Sequence, residues 1–336
     1  MVKFNRAPRM LTPKHSMMLL ALLVFATYAQ ESLTLAATVQ PAPSVLHTSQ
    51  VIITPLVIGL ALGGGAAKGF AHIGVIKALA ENGIHIQIVT GTSAGSLVGS
   101  LYAYGYNPAQ LQQISYQIDE MNLADFTFNR NGVIKGQRLQ DFINARVKNT
   151  PLQQLKLKFT AVATDLDSGQ SIGFNNGNTG SAVRASCSIP NVFIPVTMNH
   201  HRYVDGGLSA PVPVSYAKKA GANFIIAVDI SAKPNHGSSG YLANFDQTIN
   251  IMALRALSEQ LKQADIVISP DISQLPSFSF DKKQQAIEMG YNATLAQLPL
   301  IKTKLAAWYL ANTSVTPAPQ LESKVLYSPK ILTTAN

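Results

Sequence analysis

The stretch Gly91-Thr92-Ser93-Ala94-Gly95 constrains the fold of this chain more than any other feature of its sequence. An apolar run, Ile86–Val89, precedes it and a helix-like run, Ser96–Ala103, follows it. A strand, a tight turn and a helix around Gly-x-Ser-x-Gly are typical of a nucleophile elbow, which projects the serine hydroxyl from the edge of a sheet. Gly91 and Gly95 have no Cβ, so strand and helix can pack closely. The motif is short and also occurs in ordinary turns, so a catalytic Ser93 requires a base and an oxyanion hole elsewhere.

The composition indicates a globular chain and argues against nucleic-acid binding. Of the 336 residues, 47% are hydrophobic and 13% charged, which is sufficient for a sizeable core. The formal net charge is +9, but four basic residues and no acid lie in residues 1–29, so the remainder carries only +5. No basic run interleaved with aromatic residues follows, as a nucleic-acid surface would require. A mild attraction to anionic membrane surfaces is compatible with this charge.

The first 29 residues predict a secretory signal peptide. A basic segment precedes the apolar run Met17–Ala26, and Thr27-Tyr28-Ala29 offers small residues for cleavage after Ala29, with Ala37 as a second choice. We therefore expect export to a periplasm or to the medium; an uncleaved membrane anchor is the alternative. The only cysteine, Cys187, allows no intramolecular disulfide and no cysteine-built zinc site.

Apolar runs and helical patterns alternate along the rest of the chain, which predicts a mostly parallel sheet covered on both faces. Residues 30–54 are rich in Thr, Ala, Pro and Ser and are interpreted as a linker, 55–310 as the folded domain and 311–336 as a tail. Central strands are expected at Leu56–Leu62, Ile86–Val89, Phe224–Asp229 and Asp265–Ser269, and paired strands at Phe159–Thr164 and Gln170–Phe174. Helices are expected at Pro108–Ile118, Gly136–Val147, Thr179–Ser188, Val214–Ala220, Gln247–Lys262 and from Lys282 to Leu298 or beyond.

The glycine run Gly63-Gly64-Gly65, between a predicted strand and a helix, can turn backbone N–H groups toward a developing oxyanion. A P-loop would need Lys68 to be followed by Ser or Thr, and it is followed by Gly69. A Rossmann fingerprint would need a third glycine where Lys68 stands. An oxyanion hole is the better interpretation because Ser93 follows the next strand; a glycine turn without a ligand stays open.

The base is harder to assign from the residues alone. An α/β-hydrolase would present serine, acid and histidine in that order, and His236, in a polar loop, is the histidine that follows Asp205. His200 and His201 lie in a polar turn, and His72 is interpreted as a buried histidine. Asp205 ends a short apolar segment and precedes Gly206-Gly207, which allow close approach of backbone or substrate. A carboxylate can accept the serine proton directly, although Asp-Gly-Gly in isolation is also an ordinary turn.

Taken together, these motifs resemble the patatin-like phospholipases, in particular their bacterial branch. The ordered elements are Leu62–Gly69, Gly91–Gly95, Arg184–Pro190 and Asp205–Gly207, supported by Phe70–Val75 and Pro211-Val212-Pro213. The resemblance covers residues 56–230 and implies a three-layer α/β/α sandwich with a mostly parallel central sheet. It also implies a Ser93–Asp205 dyad without histidine and an oxyanion hole at Gly63, Gly64 and Gly65. Lys68, Gly69, Gly91, Gly95, Gly206 and Gly207 stand at motif positions that support these groups.

The expected activity is that of an exported lipid acyl hydrolase, of phospholipase A or esterase type, which needs no metal or cofactor. The expected partners are a lipid or phospholipid substrate and, transiently, a membrane surface, but no nucleic acid. Two alternatives remain: a Ser–Asp–His esterase that uses His236, and a lipid-binding or regulatory protein of the same fold that does not turn over.

Overall fold

A central sheet covered by helices follows from the alternation of apolar and helical segments, and the predicted fold class is confirmed. The computed structural model describes residues 50–119, 124–129, 132–231, 241–275 and 280–316. The strands in these ranges are β1 (Gln50–Ile53), β2 (Ile58–Leu62), β3 (Ile88–Thr92), β4 (Phe126–Asn129), β5 (Gly132–Ile134), β6 (Lys158–Asp165), β7 (Ser171–Phe174), β8 (Val196–Met198), β9 (His201–Asp205), β10 (Phe224–Val228), β11 (Ile266–Ile268) and β12 (Thr313–Thr316). The helices are α1 (Ala71–Glu81), α2 (Ala94–Tyr104), α3 (Pro108–Ser115), α4 (Gln137–Arg146), α5 (Thr179–Ser186), α6 (Val214–Lys219), α7 (Tyr241–Leu261) and α8 (Lys283–Ala311).

In the described part of the chain, the main sheet has eight strands and changes from parallel to antiparallel at β6. Its order is β11-β10-β2-β3-β6-β9-β8, with β7 also paired to β6. The strands from β11 to β6 run parallel, whereas β7 and β9 pair with β6, and β8 with β9, in antiparallel fashion. The sheet is therefore mostly parallel, as predicted, with an antiparallel extension on one side.

Strands β3 and β9 meet end to end on the same edge of β6. Residues 158–162 of β6 pair with β3 and residues 163–165 pair with β9, while β7 pairs with 161–164 and so occupies the opposite edge. Thr92, the last residue of β3, is opposite Val162, and Asp205, the last residue of β9, is opposite the next residue, Ala163. The ends of two distant strands are thereby brought to one point.

The alternation of residues in β2 explains the helical layers on the two faces of the sheet. Leu60 and Leu62 pack into the larger core cluster, with the apolar residues of α1, α2 and α8. Ala61 belongs to the second cluster, which includes residues of α6 and α7. A Cβ on Gly59 would lie 2.6 Å from the Cβ of Ala222, so the small residues of β2 allow a close approach on this second face. The result is a three-layer arrangement.

The structure moves the predicted boundaries of the folded domain outward at both ends. Strand β1 lies in the segment interpreted as a linker and pairs antiparallel with β12, which lies in the predicted tail. Both segments contain β-branched residues that suit a strand pair, but a polar, Pro-rich neighbourhood obscures them in the sequence. The paired strands bound the compact unit Gln50–Thr316.

Several predictions concern residues outside the described part of the chain. These are the signal peptide at 1–29, most of the linker at 30–54, the loop that contains His236 and most of the tail at 311–336. Helix α7 begins at Tyr241, six residues before the predicted start. The β4–β5 hairpin has no counterpart among the predicted elements. Within the described residues, no helix is both long and apolar enough to span a membrane.

Candidate active site

Ser93 occupies a strained turn between β3 and α2. Its backbone has φ 52° and ψ −124°, and positive φ is uncommon for residues other than glycine. A Cβ on Gly91 would lie 2.4 Å from Gly95 O, and a Cβ on Gly95 would lie 2.2 Å from Leu62 O. Larger residues at these two positions would push the helix away from the sheet. The turn therefore has the geometry of a nucleophile elbow.

The structure brings Ser93 and Asp205 together across 112 sequence positions. The Ser93 hydroxyl donates a hydrogen bond of 2.6 Å to Asp205 Oδ2. Both residues are buried, with 6% and 7% of their surfaces exposed. No histidine nitrogen lies within hydrogen-bond distance of either side chain among the described residues. A carboxylate is thus the group in position to accept the serine proton.

The rest of Asp205 is held by further hydrogen bonds that leave Oδ2 directed at Ser93. Oδ1 accepts the Gly207 N–H at 2.7 Å, and the Asp205 N–H donates to Ser188 O at 2.8 Å. The Thr164 hydroxyl donates to Asp205 O at 2.9 Å. Burial raises the pKa of Asp205 to about 6, against the lowering effect of the hydrogen bonds from Ser93 and Gly207. The carboxylate is ionised at neutral pH and is a stronger base than an exposed aspartate.

The glycine loop, Gly63–Gly65, lies beside the serine, but two of its amides are already bonded. A Cβ on Gly64 would be 3.3 Å from Ser93 Cβ. The Gly63 N–H donates to Val228 O and the Gly64 N–H to Pro211 O, each at 3.0 Å. No acceptor is found in the described residues for the amides of Gly65 and Ala66, both partly exposed. Of the three glycines predicted to form an oxyanion hole, Gly65 is therefore the one whose amide has no acceptor among the described residues, and the neighbouring Ala66 amide is a further donor of this kind.

His72, interpreted from sequence as a buried histidine, fixes the orientation of this loop. Its Nε2 donates to Gly63 O at 2.8 Å, and Gly63 O belongs to the same peptide group as the Gly64 N–H. That peptide is thus held at both ends, by His72 and by Pro211 O. Burial lowers the pKa of His72 to about 4, so the ring is neutral at neutral pH. The buried Nδ1 finds no partner in the described part of the chain.

Residues 210–213, which contain the Pro211-Val212-Pro213 motif, connect the serine strand to the glycine loop. Pro211 O accepts the Gly64 N–H, as described above. The Thr92 hydroxyl donates to Ala210 O at 2.7 Å and the Thr90 hydroxyl to Pro213 O at 3.0 Å. Through these carbonyls, residues 210–213 bond both to strand β3 and to the glycine loop. The sequence indicates the motif but not its contacts.

The remaining motif residues pack around this centre. The Lys68 side chain is buried, and the Lys68 backbone N–H donates to Gly65 O at 3.0 Å. A Cβ on Gly69 would lie 2.4 Å from Ala94 Cβ, and a Cβ on Gly206 would lie 2.2 Å from Val162 O. These glycines therefore permit close contact of the glycine loop with α2 and of the aspartate turn with β6.

Other candidate groups do not converge on Ser93. His201 Nδ1 lies 3.0 Å from Asp165 Oδ2, and His200 has positive φ in the turn between β8 and β9. His236 lies outside the described residues. No group of three or more His, Cys, Asp or Glu side chains in the described ranges could hold a metal ion.

Known proteins are similar to this chain in sequence and in fold. The patatin-like phospholipase family matches residues 60–218. An uncharacterized NTE family protein of Mycobacterium tuberculosis is 34% identical over 180 residues, 52% of this chain and 49% of that protein. Lysophospholipase NTE1 of Meyerozyma guilliermondii is 31% identical over 196 residues, 56% of this chain and 14% of that protein.

The chain thus spans about half the length of its mycobacterial relative and a smaller part of the fungal one. Among solved structures, VipD from Legionella pneumophila has a similar fold, with a TM-score of 0.52 at 13% identity, over 80% of this chain and 69% of VipD. Residues 60–218, which contain the ordered motifs from Leu62–Gly69 to Asp205–Gly207, match the patatin-like phospholipase family.

Proposed function

We propose that the chain is a serine hydrolase that cleaves lipid acyl esters, with Ser93 as nucleophile and Asp205 as general base. The observation that carries this proposal is the 2.6 Å hydrogen bond from Ser93 Oγ to Asp205 Oδ2 within an elbow. The family match and the name of the fungal relative, a lysophospholipase, support a lipid ester as the substrate.

In the first half of the reaction, Ser93 Oγ attacks the ester carbonyl carbon while its proton passes to Asp205 Oδ2. The negative charge that develops on the carbonyl oxygen is stabilised by the amides of Gly65 and Ala66, which have no acceptor among the described residues. The tetrahedral intermediate collapses, the bond to the leaving alcohol breaks, and Asp205 returns the proton to that alcohol. An acyl ester on Ser93 remains.

In the second half, water replaces the alcohol. Asp205 takes a proton from the attacking water, the same amides stabilise the second oxyanion, and the fatty acid leaves as Ser93 recovers its proton. Because the pKa of Asp205 is about 6, this base is available at neutral pH and lost in acid. The mechanism uses residues of this chain for every proton transfer.

Contact with a lipid surface is also part of the proposal. Helix α7 packs against the Gly206–Leu208 turn next to the base. It carries exposed apolar side chains at Ile251, Met252 and Leu254. Exposed apolar side chains on a helix that contacts the turn of the base are a candidate contact surface for lipid.

Labelling with a fluorophosphonate probe and hydrolysis of a fatty ester test the dyad. Ser93→Ala should abolish both, and Asp205→Asn should lower kcat by about 10³-fold, the range expected for loss of a general base. In the wild type, kcat/KM should fall as pH drops through about 6. Product analysis by mass spectrometry on a mixed pool of phospholipids and neutral esters identifies the substrate class.

Two control variants separate the alternatives. His236→Ala should keep full activity; its inactivation would support a Ser–Asp–His esterase instead. Ser100→Ala removes a buried hydroxyl that donates to Leu97 O on the same helix, its one partner among the described residues, and should leave activity unchanged. Wild-type activity in Ser93→Ala or Asp205→Asn would refute the dyad. A folded wild type without labelling at Ser93 would favour a non-catalytic protein.

We also propose export by a cleaved N-terminal signal, on the basis of the basic and apolar pattern of residues 1–29. N-terminal sequencing of protein recovered outside the cytoplasm should begin at Gln30, or at Thr38 for the second site. Recovery of the intact Met1 terminus in membranes would indicate an uncleaved anchor.

A further inference from the structure

The backbone N–H of Ser93 has a partner that the mechanism does not use. This N–H donates to Ser186 Oγ at 2.9 Å. Ser186 is the last residue of α5 and is completely buried. Since Ser93 has positive φ, its backbone conformation is strained and needs support from its surroundings. A hydroxyl supplied by a different helix is part of that support.

The same hydroxyl connects the nucleophile to β6. Ser186 Oγ donates to Val162 O at 2.5 Å, so it accepts from one backbone group and donates to another. Val162 is the residue opposite Thr92 in the sheet and precedes the residue opposite Asp205. A Cβ on Gly206 would lie 2.2 Å from Val162 O, so the turn that carries the base packs on this carbonyl as well.

The chain around Ser186 also holds the base. Two residues further on, Ser188 O accepts the Asp205 N–H at 2.8 Å. The end of α5 thus bonds to the backbone of the nucleophile through a side chain and to the backbone of the base through a carbonyl. Neither contact involves an atom that reacts.

We propose that Ser186 is a positioning residue, whose hydroxyl holds Ser93 Oγ in contact with Asp205 by bridging the Ser93 N–H to Val162 O. This inference rests on the proposed Ser93–Asp205 mechanism. Displacing a nucleophile by about 1 Å can lower a rate by about 10²-fold. A hydroxyl that only contributed to stability would affect unfolding without changing the chemical step.

The test compares Ser186→Ala with Ser100→Ala, which removes an equally buried serine hydroxyl bonded to a backbone carbonyl on α2. Ser186→Ala should lower kcat on a fatty ester by about 10- to 100-fold, with KM within about twofold of wild type. Labelling of Ser93 by the fluorophosphonate should slow by a similar factor. Ser100→Ala should match the wild type in each measurement.

The pH profile supplies a readout that a purely structural role would not change. The hydrogen bond from Ser93 lowers the pKa of Asp205, so a loosened contact should move the acid limb of kcat/KM to higher pH in Ser186→Ala. Thermal unfolding establishes that each variant is folded. If Ser186→Ala does not fold, Ser186→Cys, which has similar volume and a weak S–H donor, should show the same changes to a smaller degree.

Wild-type kcat and pH profile in a folded Ser186 variant would overturn the inference, as would a loss confined to KM. An equal loss in Ser100→Ala would also overturn it, since any buried hydroxyl would then have the same effect. Activity in Ser93→Ala would instead refute the proposed function, whatever Ser186→Ala does. The two failures are therefore distinguishable.

Discussion

The glycine loop (Gly63–Gly65) and the aspartate turn (Asp205–Gly207) both pack against Ser93 but differ in what they present to it. The loop contributes neutral backbone N–H groups, those of Gly65 and Ala66, and a neutral histidine, His72, bonds to Gly63 O at the start of the loop. The turn presents a buried carboxylate, whose ionisation burial opposes. In the loop, hydrogen bonds occupy the amides of Gly63 and Gly64 but not those of Gly65 and Ala66 among the described residues; in the turn, Asp205 Oδ1 bonds to Gly207 and Oδ2 to Ser93. The contribution of the loop therefore depends on the positions of its N–H groups, whereas the contribution of the turn depends on the free energy of its buried charge.

The largest effect that sharpens this comparison is expected from Gly65→Ala. A Cβ at this position would lie 2.9 Å from Ile230 O, so the loop must move and take the Gly65 N–H with it. Loss of one oxyanion donor lowers kcat by about 10²- to 10³-fold. Steady-state kinetics should show this loss with little change in the acid limb of the pH profile, because the base is untouched. A folded Gly65→Ala variant with wild-type kcat would remove Gly65 from the oxyanion hole.

A second, smaller effect is expected for the aspartate turn, in the free energy of unfolding of Asp205→Asn. The folded-state pKa of Asp205, about 6, lies above its unfolded value of 3.8, so the folded state binds the proton first as pH falls. The buried charge therefore destabilises the fold above pH 6, and this destabilisation disappears as pH approaches 4. Asp205→Asn should be more stable than wild type at pH 7 by up to about 3 kcal/mol, with the difference shrinking toward pH 4.

Urea denaturation of both proteins at several values between pH 4 and 7 measures this difference. The comparison with wild type cancels the other titrating groups, including His72. Its folded-state pKa, about 4, lies below 6.5, so it destabilises the fold as pH falls through the same range. A difference that stayed constant with pH would show that the Asp205 charge is not unfavourable in the fold.

Local features of the site can be predicted from the sequence, whereas contacts between distant segments cannot. The strand, turn and helix around Ser93 depend on neighbouring residues, so Gly91–Gly95 suffices to predict them. Asp205 is identified through the resemblance of the ordered motifs, because Asp-Gly-Gly in isolation is also an ordinary turn. The occupied amides of Gly63 and Gly64 depend on Val228 O and Pro211 O, which lie far away in the chain. No spacing rule reveals such partners.

In the fold, too, local features can be predicted from the sequence and contacts between distant segments cannot. The apolar runs of β2, β3, β10 and β11 predict the parallel strands because a buried strand is recognisable on its own. The pairing of β1 with β12 joins the two ends of the domain and has no local signal. Ser186 stands out in the sequence only as part of a motif, because a serine at the end of a helix ordinarily satisfies its own helix. Its bond to Ser93 follows from tertiary packing.

Because β3 and β9 meet end to end on β6, pairing with β6 sets how close Ser93 and Asp205 lie, and the number of residues between them in sequence does not. Val162 and Ala163 are consecutive, so the spacing of the two strand ends is set by one residue of β6, roughly 3.3 Å. Apart from β6 itself and the end of α5, which bonds to the backbone of both residues, the loops and helices between Ser93 and Asp205 in sequence do not set it. Under the proposed function, those segments can change in length and side chains with the ester that is bound, while the serine and the carboxylate keep their relative position.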